Sequence, residues 1–148
     1  MSSEFDISEL ETFRDKLEKL SKSTDKIART IIEDIALRTL RATIKRTPVG
    51  AYTDGRTGGT LRKGWYVTDV VKIGGSYEVY LKNDTNYASF VEYGHRTRGH
   101  NSWVDGRFMM TISVDEVDRK VEQIQKATLE RMIRKELGLW FYKILYFN

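Results

Sequence analysis

Residues 65–82 read WYVTDVVKIGGSYEVYLK, and this stretch decides the fold class. Trp65, Val67, Val71 and Ile73 fall on one side of an extended chain, with Tyr66, Thr68, Val70 and Lys72 on the other, which is the period of a half-buried strand. Gly74-Gly75 supplies the left-handed backbone that a tight hairpin needs. A second run comes next, in which Tyr77, Val79 and Leu81 alternate with Glu78, Tyr80 and Lys82. A hairpin alone is marginal in water, so it is expected to pack on helices and to recruit a third strand from the apolar run Phe108 to Ile112.

Upstream, Ser8 and Glu11 have capping-box spacing, and Ile7, Leu10, Phe13, Leu17 and Leu20 mark a first amphipathic helix. Ser21 to Asp25 interrupts it, with Thr24 placed to cap the next helix. That long helix, from Asp25 to Arg46, carries Ile27, Ala28, Ile31, Ile35, Ala36 and Leu40 on one stripe. Pro48 ends it, because the residue before a proline avoids helical geometry. Downstream, Tyr87, Phe90 and Val91 outline a short helix stopped at Gly94. Ser113 and Glu116 repeat the capping-box spacing ahead of a helix marked by Val114, Val117, Val121, Ile124, Thr128 and Met132, running to about Leu137. The expected fold is α+β, one domain over residues 1–148: a small antiparallel sheet, hairpin plus third strand, packed against a long N-terminal helix and a C-terminal helix.

The 148 residues suffice for one real core, and 40% hydrophobic with 31% charged residues is a globular balance. Cysteine is absent, which removes disulfides and thiolate sites. The acidic start MSSEFDISELE is unlike a signal peptide, and no run is long enough for a membrane span, so a soluble product made in the cytoplasm is expected, with no membrane partner. Between Thr43 and Gly64, Lys45, Arg46, Arg56, Arg62 and Lys63 face Asp54 alone, a local excess equal to the whole formal charge of +4.

Catalysis finds little support. His95 and His100 lack the spacing of a helical two-histidine metal motif, although Glu92 and Asp105 stand near them in sequence. The acids lie along helix faces beside lysines and arginines, and GRTGGTLRKG does not match a phosphate-binding loop. No cofactor is implied. Two readings remain open: Arg46, Arg56, Arg62, Lys63, Arg96, Arg98 and Arg107, interleaved with Trp65, Tyr66 and Trp103, suit either a nucleic-acid backbone or a protein neighbour.

The segment YASFVEYGHRTRGHNSWVDGRFMMTI, residues 87–112, has the composition of a contact surface, with basic and aromatic side chains on a loop anchored at both ends. The run LWFYKILYFN after Gly138 places Trp140, Phe141, Tyr142 and Phe147 where chain ends are usually polar, and is expected to dock on a neighbouring subunit or add a strand.

Two stretches, RTPVGAYTDGRTGGTLRKGW at 46–65 and NYASFVEYGHRTRGHNSWVDGRFMMTIS at 86–113, resemble the tail-completion and neck proteins of tailed bacteriophages and phage-like elements, contractile bacteriocins included. The resemblance covers roughly residues 25–137. It implies a structural protein without catalysis that assembles as a ring, a hexamer in preference to a dodecamer, between connector or portal and tail-terminator or tail-tube proteins, with DNA passing through the channel. It also implies formation in the bacterial host and residence in the neck of the particle. By position it places Tyr87, Val91, Glu92, Tyr93, Gly94, His95 and Arg96 near the subunit interface. Arg56, Leu61, Arg62 and Trp65 fall in a loop and strand start that change shape on assembly.

Overall fold

The computed structural model describes residues 8–137 apart from Tyr52 and Arg56. Among the described residues the elements in order are α1 (Ser8–Lys22), α2 (Thr24–Arg46), α3 (Thr60–Lys63), β1 (Trp65–Val67), β2 (Val71–Ile73), β3 (Ser76–Glu78), β4 (Leu81–Asn83), α4 (Ala88–Tyr93), β5 (Gly94–Arg96), β6 (Trp103–Asp105), α5 (Met109–Asp118) and α6 (Val121–Leu137). The strands form two-stranded antiparallel pieces, β1 with β4, β2 with β3 and β5 with β6. The chain is therefore α+β, with a long N-terminal helix and a C-terminal helix. It divides into two compact units, Met1–Ile31 with Gln123–Asn148, and Ile32–Glu122.

The first unit holds α1, the start of α2 and most of α6, and it buries Ile27, Ile124 and Thr128. The expected interruption between α1 and α2 shrinks to Ser23. Ser23 donates its N–H to Leu20 O at 3.0 Å and its hydroxyl to Lys19 O at 2.6 Å. Thr24 does not cap α2: its Oγ1 donates to Ser21 O at 3.1 Å, serving the helix behind it. Without a proline or glycine at the junction, backbone bonding carries almost straight through, as Ile27 N–H donates to Ser23 O at 2.9 Å.

In the second unit the buried face of α2 is built largely from threonines. Thr39, Thr43 and Thr47 are all buried, and their hydroxyls donate four residues back, to Ile35 O, Thr39 O and Thr43 O at 3.0, 2.9 and 2.7 Å. That back-bonding satisfies each hydroxyl without a partner element, so a polar stripe packs as if it were apolar. Thr47 then closes the loop beyond α2. Arg62 donates Nε and Nη2 to Thr47 O at 2.8 and 2.5 Å, taking up a carbonyl left unpaired at the end of α2. The Trp65 indole N–H donates to Thr47 Oγ1 at 2.8 Å. With Trp65 held there, Leu61, Trp65 and Met109 form the core, and Leu40, Ile44, Leu81, Ala88, Val91 and Met110 pack against them.

The hairpin is present, with both turn glycines at positive φ, but it contains a register change. Trp65 pairs with Asn83 and Val67 with Leu81, whereas Val71 pairs with Glu78, so Thr68 to Val70 on one strand oppose only Val79 and Tyr80 on the other. This is a bulge of one residue. Thr68 closes it, its N–H donating to Tyr80 O at 2.9 Å and its Oγ1 accepting from Tyr80 N–H at 3.0 Å. Past the bulge the alternation inverts. Val71 and Ile73, expected beside Trp65, lie on the other face at 42% and 54% exposure.

The expected third strand is absent: Phe108 to Ile112 enters α5 instead. The Ser113–Glu116 capping box also fails, because α5 begins at Met109 and places Ser113 inside it, its hydroxyl donating to Met109 O at 2.6 Å. Glu116 pairs with Arg46 across the unit and with Lys120 at 3.2 Å, and Arg46 Nη1 donates to Ser113 Oγ at 3.2 Å. The Arg46 hydrogen bond, with a smaller share from Lys120, holds the Glu116 carboxyl below its ordinary value of 4.5.

Both the Thr47 and the Glu116 bonds can be tested. Thr47→Val removes the acceptor of a buried indole N–H and should cost about 1–3 kcal/mol in denaturant unfolding. Because the Glu116 acidity is raised by folding, its stabilisation is present above the unfolded carboxylate range and lost as pH falls through the folded value. The melting temperatures of the parent and Glu116→Gln should therefore differ at neutral pH and converge as the solution is acidified.

Candidate functional site

The segment 87–112 is organised by one buried carboxylate. Glu92, on α4, is only 3% exposed, and its two oxygens accept from Met110 N–H at 3.0 Å, Thr111 N–H at 2.8 Å and Thr111 Oγ1 at 2.8 Å. Met110 and Thr111 lie in the first turn of α5, where backbone N–H groups have no helical partner and the helix dipole favours an anion. Phe108, the residue preceding α5, is in the left-handed region at φ 49° and makes no side-chain cap of its own, so the cap comes from Glu92. Main-chain bonds reinforce the clip: Arg107 N–H donates to Val91 O at 2.8 Å and Phe108 N–H to Glu92 O at 3.0 Å.

Between the two ends of this clip the β5–β6 hairpin stands out from the unit. Its register sets Gly94 opposite Asp105, His95 opposite Val104 and Arg96 opposite Trp103. Glycine is required at both sides of its base. Gly94 has φ +86°, and a Cβ there would sit 2.6 Å from Val104 O and 2.9 Å from the Trp103 ring; a Cβ on Gly106 would sit 2.4 Å from Glu92 O. The loop closes through Thr97 and Ser102, with Thr97 N–H donating to Ser102 O at 3.0 Å and the two hydroxyls 3.1 Å apart. His95 stacks obliquely on Phe90, ring centroids 5.9 Å apart, with Nδ1 3.3 Å from Phe90 O.

The structure sorts the residues singled out in the sequence into two groups. Leu61, Trp65 and Glu92 are buried in their own unit, and Arg62 and Arg46 are engaged with Thr47 and with Glu116 and Ser113. Tyr93 and Trp103 are 56% and 57% exposed, and Arg96, Arg98 and Arg107 are exposed with them, while His95 is half-buried. Tyr87 is set apart from the hairpin residues, in an open cleft with Lys63, Tyr66 and Asp84, where the Tyr66 hydroxyl donates to Asp84 at 3.0 Å. That bond and the nearby carboxylate charge raise the Tyr66 phenol above its ordinary pKa. The Arg56 side chain, Trp140, Phe141, Tyr142 and Phe147 lie outside the described residues.

Exposed Phe90, Val104 and Phe108 join this surface without having been singled out by residue type, although Phe90 and Phe108 border the loop. They carry no charge to mark them, and only the folded positions of α4, β6 and the residue before α5 show that they are exposed. As a metal centre the segment has little to offer. Glu92 is committed to α5, and no three His, Cys, Asp or Glu residues come together to hold an ion among the described residues. Nor is any helix among them long and apolar enough to cross a membrane. The nucleic-acid reading loses Arg46, Arg62 and Trp65 to internal bonds and keeps Lys63, Arg96, Arg98 and Arg107 at the surface.

Glu92→Gln keeps the shape of the clip but removes its charge and turns an N–H₂ toward N–H donors. It should lower unfolding free energy by about 2–3 kcal/mol, measured by denaturant titration, with Glu92→Asp intermediate because its carboxylate falls short of α5.

No curated protein and no solved structure matches the chain. A family model described as "Bacteriophage HK97-gp10, putative tail-component" matches residues 11–94. The match runs from α1 through the threonine ladder, the Arg62–Thr47 closure and the bulged hairpin to Glu92 and Gly94, more than half of the sequence, and the chain belongs to this HK97-gp10-like family of phage tail components.

Proposed function

We propose that the protein is a structural, non-catalytic subunit of the phage neck or tail end, assembling as a ring that joins the connector or portal side to the tail tube or terminator. The observation that carries this reading is the β5–β6 hairpin. It exposes Tyr93, Trp103, Arg96, Arg98 and Arg107 on a base fixed by Glu92, Gly94 and Gly106. Aromatic and arginine side chains dominate the energetics of protein contacts, and a rigid base lets them bind without a large ordering cost.

Ring formation needs a heterologous contact, one surface of a subunit against a different surface of the next, closing after a fixed number of copies. The hairpin is one such surface. The cleft with Tyr87, Lys63 and Tyr66 is a candidate for the other, since it offers aromatic area beside the Asp84 carboxylate for an incoming arginine. A sixfold ring is the preferred closure, formed in the host cell and carried into the virion or tail particle. Exposed Lys63 and the hairpin arginines left over from such contacts would line a channel suited to DNA passage.

The reading is tested on Trp103→Ala and Arg96→Glu, both exposed and both expected to leave the subunit folded. Each should weaken self-association, or association with the neighbouring tail proteins, by about tenfold or more, seen by light scattering and negative-stain imaging of assembled particles. Normal rings and normal particle yield from both variants would remove the hairpin from the interface.

A further inference from the structure

Two surface elements of the second unit are held by their own bonds yet keep charged groups without a partner. The first is the tip of the β5–β6 hairpin. Thr97 O accepts from His100 N–H at 2.8 Å, which closes a turn with Arg98 and Gly99 at its corners, and His100 takes a left-handed backbone at φ 57°. Arg98 is thereby carried at the outermost point of the hairpin, exposed, and its guanidinium meets no acid among the described residues. The second element is the open cleft of about 880 Å³ that Lys63, Tyr66, Asp84 and Tyr87 help to line. Asn83 Nδ2 donates to Leu61 O at 2.8 Å and Asn83 Oδ1 accepts from Thr85 N–H at 3.0 Å, so the chain on both sides of Asp84 is tied down. Gly64 gives this bracket its room, since a Cβ there would sit 2.8 Å from Asn83 Oδ1. Asp84 Oδ1 accepts from the Tyr66 hydroxyl at 3.0 Å, and its Oδ2 has no partner among the described residues.

Resting on the ring reading above, we propose that the hairpin tip of one copy enters this cleft on the next copy, where Arg98 packs on Tyr66 and Tyr87 and pairs with the open oxygen of Asp84. The chemistry of the cleft selects a guanidinium. Tyr66 and Tyr87, 39% and 40% exposed, offer aromatic area beside a carboxylate, and a planar cation both stacks on such rings and donates to the acid, which a lysine ammonium does less well. The charge pattern selects this hairpin as its carrier. Lys63 in the lining would repel an arginine that came alone, but exposed Asp105 at the hairpin base brings the counter-charge, so one acid and one base in the cleft meet one base and one acid on the hairpin. No hairpin residue lines the cleft of its own unit, so the contact runs between copies, and two different surfaces meeting in this way make the heterologous contact that closes a ring. Because the turn and the bracket around Asp84 are both fixed by internal bonds, docking orders little new chain.

Charge exchange in the full chain tests the pair. Arg98→Asp and Asp84→Arg, both at exposed positions, should each weaken self-association by about tenfold or more in light scattering, because like charges then meet at every contact. Mixed in equal amounts, the two variants should recover association to within about twofold of the parent, since the hairpin of each then fits the cleft of the other and the copies alternate around the ring. Recovery in the mixture also shows that neither variant failed to fold. Single variants that associate as the parent does would overturn the Arg98–Asp84 contact while leaving the ring reading intact. A mixture as weak as either variant alone would also overturn it, by assigning the two residues to unrelated surfaces. A parent chain that stays monomeric at every concentration, alone and with the neighbouring tail proteins, would remove this contact and the ring reading together.

Discussion

A carboxylate taken out of water is costly unless its lone pairs are met, and Glu92 is met on every side it presents to the protein: by two backbone N–H groups at the start of α5 and by the Thr111 hydroxyl. The same three bonds decide that the chain after Phe108 is a helix, hold α4 against α5, and fix the base from which the β5–β6 hairpin projects. Remove the acceptor and α5 loses its cap, Phe108 loses the reason for its left-handed backbone, and the hairpin loses one of its two anchors. The other anchor is steric. Gly94 lets β5 approach the partner chain at Val104 and Gly106, and Gly106 lets that chain approach the end of α4 at Glu92 and Tyr93, so closely that a side chain at either would collide with main-chain atoms.

A second node, independent of the first, sits at Thr47. There one residue accepts from the Arg62 guanidinium through its carbonyl and from the Trp65 indole through its hydroxyl, while donating back to Thr43. The long connection between α2 and β1 thus ends on a fixed point even though it contains little regular structure of its own. Two loops, each closed by a buried polar residue with several partners, leave the outward-facing aromatics and arginines free for contacts beyond the subunit. That division between inner fixing residues and outer contact residues is the physical support for the joining role proposed for this tail component.

Much of this was readable from the residues, and the failures have particular causes. The hairpin came from a period of two around Gly74-Gly75, and α2 from its apolar stripe and Pro48. The bulge did not, because Thr68-Asp69-Val70 continues the alternation in sequence while the Thr68 side chain pairs with Tyr80 in space. The helical start at Met109 was hidden for a similar reason. Phe108-Met109-Met110 has the look of a strand, and the group that makes it a helix lies 18 residues away from Met110. Hydropathy is blind to Thr39, Thr43 and Thr47, although their spacing of four is in plain view. At the candidate surface, residue type found Tyr93, Trp103 and the arginines but gave no means of separating them from Leu61, Trp65, Arg62 and Glu92, whose burial is a tertiary outcome.

The central claim is that Glu92 clamps the start of α5 in the isolated subunit, so that the hairpin is presented preformed and needs no partner to order it. Amide hydrogen exchange at Met110 and Thr111 tests this most directly, since those two N–H groups have no other acceptor in the first helical turn. Protection at both positions close to that of the buried core amides around Thr43 is the predicted result. Exchange at both as fast as at the exposed loop residues Arg98 and Gly99 would contradict the account.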